Sequence, residues 1–270
     1  MRKMKRFSCV LLAVMMVCML PSCGSSSQYG VTTIEKLVGQ EYAIAFRNDD
    51  PIYFYVTAAI QVLAAEGKVD ELSMKWLGER AVKFDADINA LDIYAVPKNK
   101  TFIIGVDINS FPFVYISNGT FWGYDIELAQ ATADKLGWTL KAQAIEKENV
   151  YEELYSGNVD CIWGGVAINQ KDVDNGLFVQ FGPYIHNDVV VATRDRSAIA
   201  GKVGLKGKTL AMPSTPEAME SLNTDSKLVN RLGNVIRLVG GTTECYTYLY
   251  SGKCDAILTD TTAMMYYNCH

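Results

Sequence analysis

Apolar residues recur at helical spacing along several stretches of the chain, and each stretch is bounded by residues that start or stop helices. One such stripe lies between Asp50-Pro51 and Gly67, which predicts a core-facing helix that runs to Glu66. A second, shorter helix is predicted over residues 69–77, ending at Gly78. The apolar positions of the first stripe, which we expect in the core, are Tyr55, Val56, Ala59, Ile60 and Leu63.

A twelve-residue segment occurs twice in the chain, first at Tyr151–Ile162 and again, 95 residues later, at Tyr246–Ile257. Both copies carry a leucine, a Tyr-Ser-Gly triplet, an aspartate and an isoleucine at the same relative positions. Each copy predicts the end of a helix, a glycine cap, an aspartate and then a buried strand. We expect the two aspartates, Asp160 and Asp255, to stabilise the fold.

The segments ahead of the two copies also match. A β-rich run at Phe102–Asp107 precedes an amphipathic helix predicted from Tyr124 to Leu136, and a run at Lys208–Met212 precedes a helix predicted over residues 216–222. Two long repeats are too few for a solenoid. They predict two similar α/β lobes, each with a mostly parallel sheet, and a ligand cleft where the carboxyl ends of their strands face each other.

The first residues of the chain are typical of an export signal. Four basic residues precede an apolar run, Val10–Leu20, which is about half as long as a membrane span. Because small residues and a cysteine follow, the pattern predicts a signal peptide over residues 1–22. The sequence Leu20-Pro-Ser-Cys23 resembles the lipobox of bacterial lipoproteins, which implies lipidation of Cys23, a flexible tether over residues 23–31, and a protein anchored to the membrane outside the cytoplasm, at the cell surface or in the periplasm. The alternative is a leader with a chance cysteine at its end.

Composition narrows the partners that this chain can have. The net charge is −5 and no basic stretch follows Cys23, so nucleic acid and anionic membrane surfaces are poor partners. Neither the cysteine spacing nor the two histidines match a metal site, and no nucleophile–base pair stands out, so we expect no metal, no cofactor and no enzyme activity. In an exported chain the remaining cysteines could form a disulfide or stay buried as thiols; they are Cys161, Cys245, Cys254 and Cys269.

Several motifs after residue 100 occur together in one known family. Residues Phe102–Tyr267 resemble the polar amino-acid-binding lipoproteins and periplasmic proteins of ABC importers, and Gly39–Gly78 resembles the C-terminal end of the same family. The resemblance implies a two-lobed α/β fold of the type II periplasmic-binding-protein class. Because the family's ending comes first here, it also implies a circular permutation, which is tolerated where the original termini lie close together. The matching motifs are Asp107 with Pro112-Phe113, Gly123-Tyr124-Asp125-Ile126-Glu127-Leu128, Ser156-Gly157 with Asp160, Phe181-Gly182-Pro183-Tyr184, Leu205–Lys208 and Gly252 with Asp255-Ala256 and Asp260, and, for the permuted part, Glu41–Phe46, Asp50-Pro51, Gly67 and Lys75–Gly78.

The permutation implies a division into lobes. Two connections then cross between them, near Gln40 and near Asp188–Arg194, so hinge closure over a ligand is retained. The joint between the family's original ends, at about residues 80–100, is expected to be an exposed linker because Pro97 is followed by Lys98, Asn99 and Lys100. Lobe 1 is expected to cover residues 41–185, comprising the permuted segment 41–78, the joint and residues 101–185, and lobe 2 to cover residues 187–270 together with 32–40.

The resemblance also implies a set of ligand residues, some of which depart from the family pattern. The family binds a ligand carboxylate with a Gly-x-Thr-x-x-x-x-Arg run, whereas here Gly165 is followed by Ala167 in place of the threonine and Asp172 in place of the arginine. Asp260 falls on the position that binds the ammonium group, and Asp107 on one that contacts the ligand's side chain. Their structural alternatives are a strand-end cap and a solvated loop residue. The other candidates are Ser110 and Phe111 at the position of a stacking aromatic, Phe113 and Trp122 beside the cleft, and Ser214 and Thr215 at a helix start that suits anions.

Loss of the arginine with retention of two carboxylates favours an amine-bearing or cationic solute over an ordinary α-amino acid. The resemblance therefore implies a lipid-anchored extracellular solute-binding protein that captures a small amino-acid-like or amine-bearing ligand between two lobes for an ABC importer and its permease. The alternative, supported by the altered run from Gly165 to Asp172, is a sensory or interaction lipoprotein on the same fold without a transport role. A third possibility is an enzyme that reuses the fold, because fold alone does not determine function.

Overall fold

The computed structural model describes residues 30–167 and 170–270. Strands and helices are mixed along this part of the chain, as predicted. The predicted signal peptide, Cys23 and most of the tether lie outside the described residues. None of the helices in the described part is long and apolar enough to cross a membrane.

Two strands of 16 residues each, β1 and β7, are much longer than the others. The strands of the described residues are β1 (Val31–Phe46), β2 (Thr101–Val106), β3 (Tyr115–Ser117), β4 (Thr120–Trp122), β5 (Thr139–Ala144), β6 (Cys161–Ile162), β7 (Val179–Arg194), β8 (Thr209–Pro213), β9 (Asn234–Leu238) and β10 (Ala256–Asp260).

The helices fall between the strands, and two further segments, Lys147–Asn149 and Lys202–Leu205, form single 3-10 turns. The α-helices of the described residues are α1 (Ile52–Ala65), α2 (Lys68–Leu77), α3 (Tyr124–Leu136), α4 (Val150–Tyr155), α5 (Gln170–Asp174), α6 (Pro216–Asn223), α7 (Ser226–Val229), α8 (Gly241–Tyr250) and α9 (Thr261–Cys269).

Eight of the strands form one mixed sheet in the order β5-β2-β6-β1-β7-β10-β8-β9, and β3 pairs with β4 in a separate hairpin. The three outer strands on each side are parallel: β5, β2 and β6 make up the first half-sheet, and β10, β8 and β9 the second. Between them β1 and β7 run antiparallel along nearly their whole length, and we call this pair the central ribbon. The predicted parallel strands are present in both halves, but they belong to one continuous mixed sheet and not to two separate sheets.

The central ribbon joins the two half-sheets at its opposite ends. The end of β1, at Ala45 and Phe46, pairs with β6, whereas the end of β7, from Val189 to Ala192, pairs with β10. The side chains of Tyr42, Ile44 and Phe46 share one hydrophobic core with the buried side chains of β2. Separate cores lie against the second half-sheet.

The first helices form where the apolar stripe predicts them. The Asp50 carboxylate accepts the backbone N–H of Ile52 at 3.0 Å and so caps the start of α1. Gly78, with φ of +74°, ends α2 in the left-handed conformation that glycine adopts readily. Of the five predicted core positions of α1, Val56, Ala59, Ile60 and Leu63 are buried and Tyr55 is partly buried.

The repeated segment forms the same structure twice, as predicted. The copies end α4 and α8, and their glycines, Gly157 and Gly252, have φ values of +79° and +73°. Each copy then leads into a parallel strand, β6 in the first half-sheet and β10 in the second. The sequence echo therefore reflects a repeated helix–turn–strand unit.

The two repeated aspartates bind equivalent partners. Asp160 accepts the backbone N–H of Ile103 at 2.7 Å and pairs with Lys100 at 3.0 Å. Asp255 accepts the backbone N–H of Thr209 at 2.9 Å and pairs with Lys208 at 3.3 Å. Each aspartate thus connects its own strand to the beginning of the neighbouring parallel strand, which is the stabilising role expected of both.

The segment from residue 79 to 100 is irregular and largely exposed, including residues 97–99, as the sequence predicts, but it is anchored at two apolar residues. Val82 is buried, and the Phe84 ring stacks on Phe181 and Tyr184 at centroid distances of 5.2 Å and 5.3 Å. Proline and polar residues hid these apolar anchors in the sequence pattern. Val82 and Phe84 therefore attach the segment to the core that contains β2.

Cys161, Cys245 and Cys254 are buried as free thiols, which is the second of the two alternatives that the sequence leaves open. Burial raises the pKa of Cys245 to about 12 and that of Cys254 to about 11. Both thiols are therefore protonated at neutral pH. Cys269, the remaining cysteine of the described residues, is partly exposed.

Candidate ligand site

The loops that follow β2 and β6 meet at the carboxyl ends of these two parallel strands, where ligands bind in α/β sheets. Asp107, directly after β2, donates its backbone N–H to the carbonyl oxygen of Gly164 at 3.2 Å. The Ser110 hydroxyl donates to the carbonyl oxygen of Gly165 at 3.1 Å. The structure thus brings together three of the predicted residues: Asp107, Ser110 and Gly165.

The contact between these loops requires glycine. Gly165 has φ of +65°, and a Cβ atom there would lie 2.0 Å from the Cβ of Ser110. Gly164 has φ of +140°, and a Cβ atom there would lie 2.8 Å from a methyl group of Val114. Because only glycine fits both the backbone angle and the space, the two loops can pack backbone against side chain.

The run that departs from the family pattern continues toward the central ribbon. Ala167 forms an isolated antiparallel bridge with Tyr42 of β1. Asp172 lies within α5, a helix of five residues. The small side chain of Ala167 therefore stands beside the ribbon at the position where the family pattern has a hydroxyl.

The aromatic candidate Phe111 joins the two halves of the molecule. Its ring packs against Tyr266 and Tyr267 of α9 at centroid distances of 4.7 Å and 5.5 Å. A loop of the first half-sheet thereby contacts a helix that follows the second. Phe111 is partly buried, so part of its ring surface remains open.

The other two aromatic candidates lie in contrasting environments. Trp122, on β4, is 46% exposed. Phe113 is fully buried and packs edge-on against Tyr42 at 5.4 Å and Tyr124 at 5.8 Å. The expectation that Phe113 lines the cleft is corrected here, because a ring with no accessible surface cannot contact a ligand.

Asp260 has the strand-end cap role, which is one of the two alternatives that the sequence offers for it. It is the last residue of β10 and the N-cap of α9, where its carboxylate accepts the backbone N–H of Ala263 at 2.8 Å and the Thr262 hydroxyl at 2.7 Å. Burial nevertheless raises the pKa of the Asp260 carboxyl, although these hydrogen bonds act in the opposite direction. The cap alone therefore does not fully stabilise the negative charge.

Ser214 and Thr215 follow β8 of the second half-sheet, in the same relation that Asp107 has to β2. The Thr215 hydroxyl caps α6 by accepting the backbone N–H of Ala218 at 3.2 Å. Ser214 is exposed and donates its backbone N–H to Leu238 at 2.9 Å. The predicted helix start is therefore present at the carboxyl end of a parallel strand.

Tyr42 connects the halves of the site electrostatically. Its buried hydroxyl accepts a hydrogen bond from Asn187 at 2.9 Å. The pKa of Tyr42 is raised, first by burial and then by the charges of Asp260, Asp107 and Asp125. The charges of all three carboxylates therefore act on this one phenol. Sequence reasoning named Asp107 and Asp260 but assigned no role to Tyr42 or to Asp125.

Asn187 lies on β7, is 1% exposed, and bridges the ribbon to the helix that carries Asp260. Its side-chain carbonyl accepts the Thr261 hydroxyl at 3.1 Å and the Thr262 backbone N–H at 3.2 Å, while its amide donates to Tyr42. All of these partners are distant in sequence or on another element. The sequence alone therefore carried no signal for this residue.

The proposed site residues of the described part of the chain include several carboxylates. Among ion pairs between described residues, none involves Asp107, Asp125 or Asp260. Carboxylates in such a setting are suitable acceptors for an ammonium or guanidinium group. The described residues contain no group of side chains arranged to hold a metal ion.

Residues 102–239, which are half of the sequence, match the bacterial extracellular solute-binding proteins, family 3. The chain belongs to this family. Its mixed α/β architecture, with two parallel half-sheets joined by long strands, is the two-lobed type II periplasmic-binding-protein fold.

Individual relatives are amino-acid-binding proteins. The "Probable amino-acid-binding protein YxeM" of Bacillus subtilis (strain 168) is 30% identical over 128 residues, which are 46% of this chain and 48% of that protein. The "Arginine-binding extracellular protein ArtP" of the same organism is 30% identical over 116 residues, 42% of this chain and 44% of the relative. This chain thus spans about half the length of the curated relatives that it matches.

A solved structure is also similar. It is that of a polar amino acid ABC uptake transporter substrate binding protein from Streptococcus thermophilus, with 28% identity and a TM-score of 0.46, covering 62% of this chain and 67% of that one. The classification of this chain rests on the family match.

Proposed function

We propose that this protein captures a small amino-acid-like or amine-bearing solute between the two halves of its sheet and presents it to the permease of an ABC importer. Membership of a solute-binding family supports this proposal. The observation that carries it is that Asp107 directly follows β2, Asp260 ends β10, and the charges of both act on the phenol of Tyr42. A solute that brings a positive charge would stabilise these carboxylates.

Within this proposal Asp260 is the main acceptor for the solute's ammonium group, and Asp107 contacts the rest of the solute. Phe111 supplies an aromatic surface beside them. Ala167 and Asp172 leave the site without the family's hydroxyl and arginine, so an ordinary α-amino acid loses its carboxylate partner. The peripheral contacts assigned to the site are Ser110, Trp122, Gly165, Ser214 and Thr215.

The two lobes are proposed to be residues 41–185 and residues 187–270 with 32–40, and the central ribbon acts as their hinge. A permuted chain order is supported by the hydrophobic core that the end of β1 shares with β2. It is also supported by two hydrogen bonds between Val31 and Asn268, at 2.9 Å and 3.2 Å, which place distant parts of the chain side by side. A chain rejoined in the family's order, with residues 101–268 ahead of 31–79, should fold to the same circular dichroism spectrum; an unfolded product would contradict the permutation.

Anchoring by lipid at Cys23 is proposed from the lipobox-like sequence. Cys23→Ser should block cleavage of the leader and acylation, so labelled fatty acid should no longer enter the protein. A Cys23→Ser protein that matures normally and still carries the label would show that this cysteine is not the lipid site.

A thermal-shift screen tests solute capture, with L-arginine, putrescine and L-cystine as amine-bearing probes and L-glutamate as an acidic comparison. A solute at a hundred times its dissociation constant should add about 2.7 kcal/mol to the free energy of unfolding. We expect stabilisation by at least one amine-bearing probe and less by L-glutamate. No stabilisation by any of them would contradict the proposal.

A sensory lipoprotein without transport is the second candidate, favoured by the replacement of the family's hydroxyl and arginine at Ala167 and Asp172. Uptake of a labelled solute by cells with and without the gene separates the two functions. Uptake that depends on the gene supports transport, whereas binding without uptake supports sensing.

A further inference from the structure

The buried carboxylate of Asp125 has no assigned role among the ligand contacts above. Asp125 lies in the first turn of α3 and has no accessible surface. It accepts three hydrogen bonds: from the Trp163 indole N–H at 3.3 Å, from the Gly165 backbone N–H at 3.1 Å and from the Tyr184 hydroxyl at 2.8 Å. These donors come from the loop after β6 and from β7, so one carboxylate connects three parts of the molecule.

The chemistry of the three donors explains why the residue is an aspartate. One carboxylate oxygen accepts from Gly165 and Tyr184, and the other accepts from Trp163. Asparagine has nearly the same shape, but its amide nitrogen is a donor and would face one of these N–H or O–H groups. Burial of an ionisable group is unfavourable unless its hydrogen bonds are satisfied, and here both oxygens are used.

Asp125 is one step removed from two of the proposed ligand residues. Gly165, whose N–H it binds, accepts the Ser110 hydroxyl on its carbonyl oxygen. The neighbouring Gly164 accepts the backbone N–H of Asp107. The loop therefore receives hydrogen bonds on one side from the ligand residues and gives one on the other side to Asp125.

The loop has few other means of being held. Gly164 and Gly165 have no side chains, and their positive φ values of +140° and +65° belong to a backbone conformation that few residues adopt. A hydrogen bond to the backbone is then the direct way to restrict this segment. Asp125 supplies it from the protein interior.

We propose that Asp125 is a positioning residue of the ligand site, which fixes the Gly164–Gly165 backbone against which Asp107 and Ser110 are placed. That Asp107 and Ser110 contact a ligand rests on the function proposed above. The fixing of the Gly164–Gly165 backbone by Asp125 does not depend on it.

Protonation of the Asp125 carboxylate should change the hydrogen bonds by which it positions the loop. Burial raises the pKa of Asp125 to about 7. The titratable groups that face it are the phenols of Tyr184 on β7, Tyr42 on β1 and Tyr124 on its own helix, and the pKa of each is raised, so they remain neutral at pH 7. A proton on the oxygen shared by Gly165 and Tyr184 would turn the Tyr184 hydroxyl from donor to acceptor and weaken the bond from Gly165.

The test is nuclear magnetic resonance of the folded chain without solute, comparing wild type with Asp125→Asn and with Thr132→Val as a matched control. Thr132 is a fully buried polar residue of the same helix, and its hydroxyl bonds only to Leu128 of that helix. In wild type we expect the Trp163 indole and Gly165 amide signals to titrate together near pH 7. In Asp125→Asn that titration should vanish and the Gly165 amide should exchange with solvent about ten times faster, whereas Thr132→Val should leave both unchanged.

Separate midpoints for the two signals in wild type, or unchanged Gly165 exchange in a folded Asp125→Asn, would overturn the proposal. Equal acceleration in Thr132→Val would do so too, because it would indicate general destabilisation. If Asp125→Asn does not fold, the proposal is tested by the wild-type titration and by Trp163→Phe. In Trp163→Phe the Gly165 amide signal should still titrate. Failure of every solute to bind would count against the proposed function alone and leave these results standing.

Discussion

The two half-sheets are built alike at one end and differently at the other. At the beginnings of their strands, Asp160 and Asp255 accept a backbone N–H and a lysine in the same way. At the carboxyl ends, the first half-sheet presents a glycine loop held by a buried aspartate, whereas the second presents Asp260 at the start of a helix. The repeated end serves the fold, and the divergent ends form the proposed site.

The difference between the two ends of the half-sheets indicates where a fold with a repeated unit can form a specific binding site. The helix–turn–strand repeat can be recognised because stability imposes the same residues on both copies. The site needs unlike groups that meet from opposite sides, so its residues do not repeat. Symmetry in the sequence therefore identifies structural residues, and departures from it identify candidates for binding.

The largest expected effect concerns Asp125. Because the folded-state pKa of about 7 lies above the ordinary value, the folded protein keeps a proton that the unfolded chain releases. This contribution to the free energy of unfolding falls as pH rises from roughly 4 to 7 and then levels off. Between about pH 5 and pH 8 the loss should be about 2–3 kcal/mol.

Denaturant unfolding of wild type and Asp125→Asn at both pH values measures this difference. The variant should lose that part of the pH dependence while retaining the part due to His186, whose pKa is raised by Glu41 and Asp188. Parallel pH profiles for the two proteins would show that Asp125 titrates in the folded state much as it does in the unfolded chain.

The repeated aspartates should give the next largest effect, and on stability alone. Asp160→Ala and Asp255→Ala each leave a backbone N–H without its partner, which costs about 1–3 kcal/mol. The Asp160 side chain is 13% exposed and that of Asp255 is 38% exposed, so the first substitution should destabilise more. Solute affinity, measured by calorimetry, should stay the same in both; a loss confined to affinity would break the division between structural and binding ends.

The smallest expected effect is an increase in affinity for an ordinary α-amino acid. Asp172→Arg restores the family's arginine, which should improve binding of an ordinary α-amino acid such as L-glutamate by about tenfold through a two-pronged carboxylate contact. Asp172→Lys is the control, since it adds the same charge without the planar geometry and should improve binding less. Equal gains in both variants would indicate a general charge effect.

Much of the fold could be predicted because its signals are local. The stripe of α1, the glycines that end α2 and α4, and the repeated segment all depend on residues close together in sequence. The packed segment around Phe84 was not predictable in this way, because its partners Phe181 and Tyr184 lie about a hundred residues away.

The site could be predicted only in part, for a similar reason. Asp107 and Asp260 were found through family motifs, and the charges of both act on the phenol of Tyr42. Asp125 belongs to a family motif that assigns it no role, and its three hydrogen-bond donors lie 38 to 59 residues further along the chain. Phe113 was misassigned because a pattern of apolar residues does not distinguish a cleft wall from a core.

Calorimetric titration of wild type and Asp260→Asn with L-arginine and with putrescine tests the central claim most directly. Asparagine caps helices as well as aspartate does, so the substitution removes the charge and leaves the helix start intact. We predict saturable, one-to-one binding of at least one probe to wild type at a micromolar dissociation constant, about −8 kcal/mol, and a loss of roughly thirty-fold or more in the variant. Equal affinity in the two proteins, or no binding of either probe to folded wild type, would contradict the account.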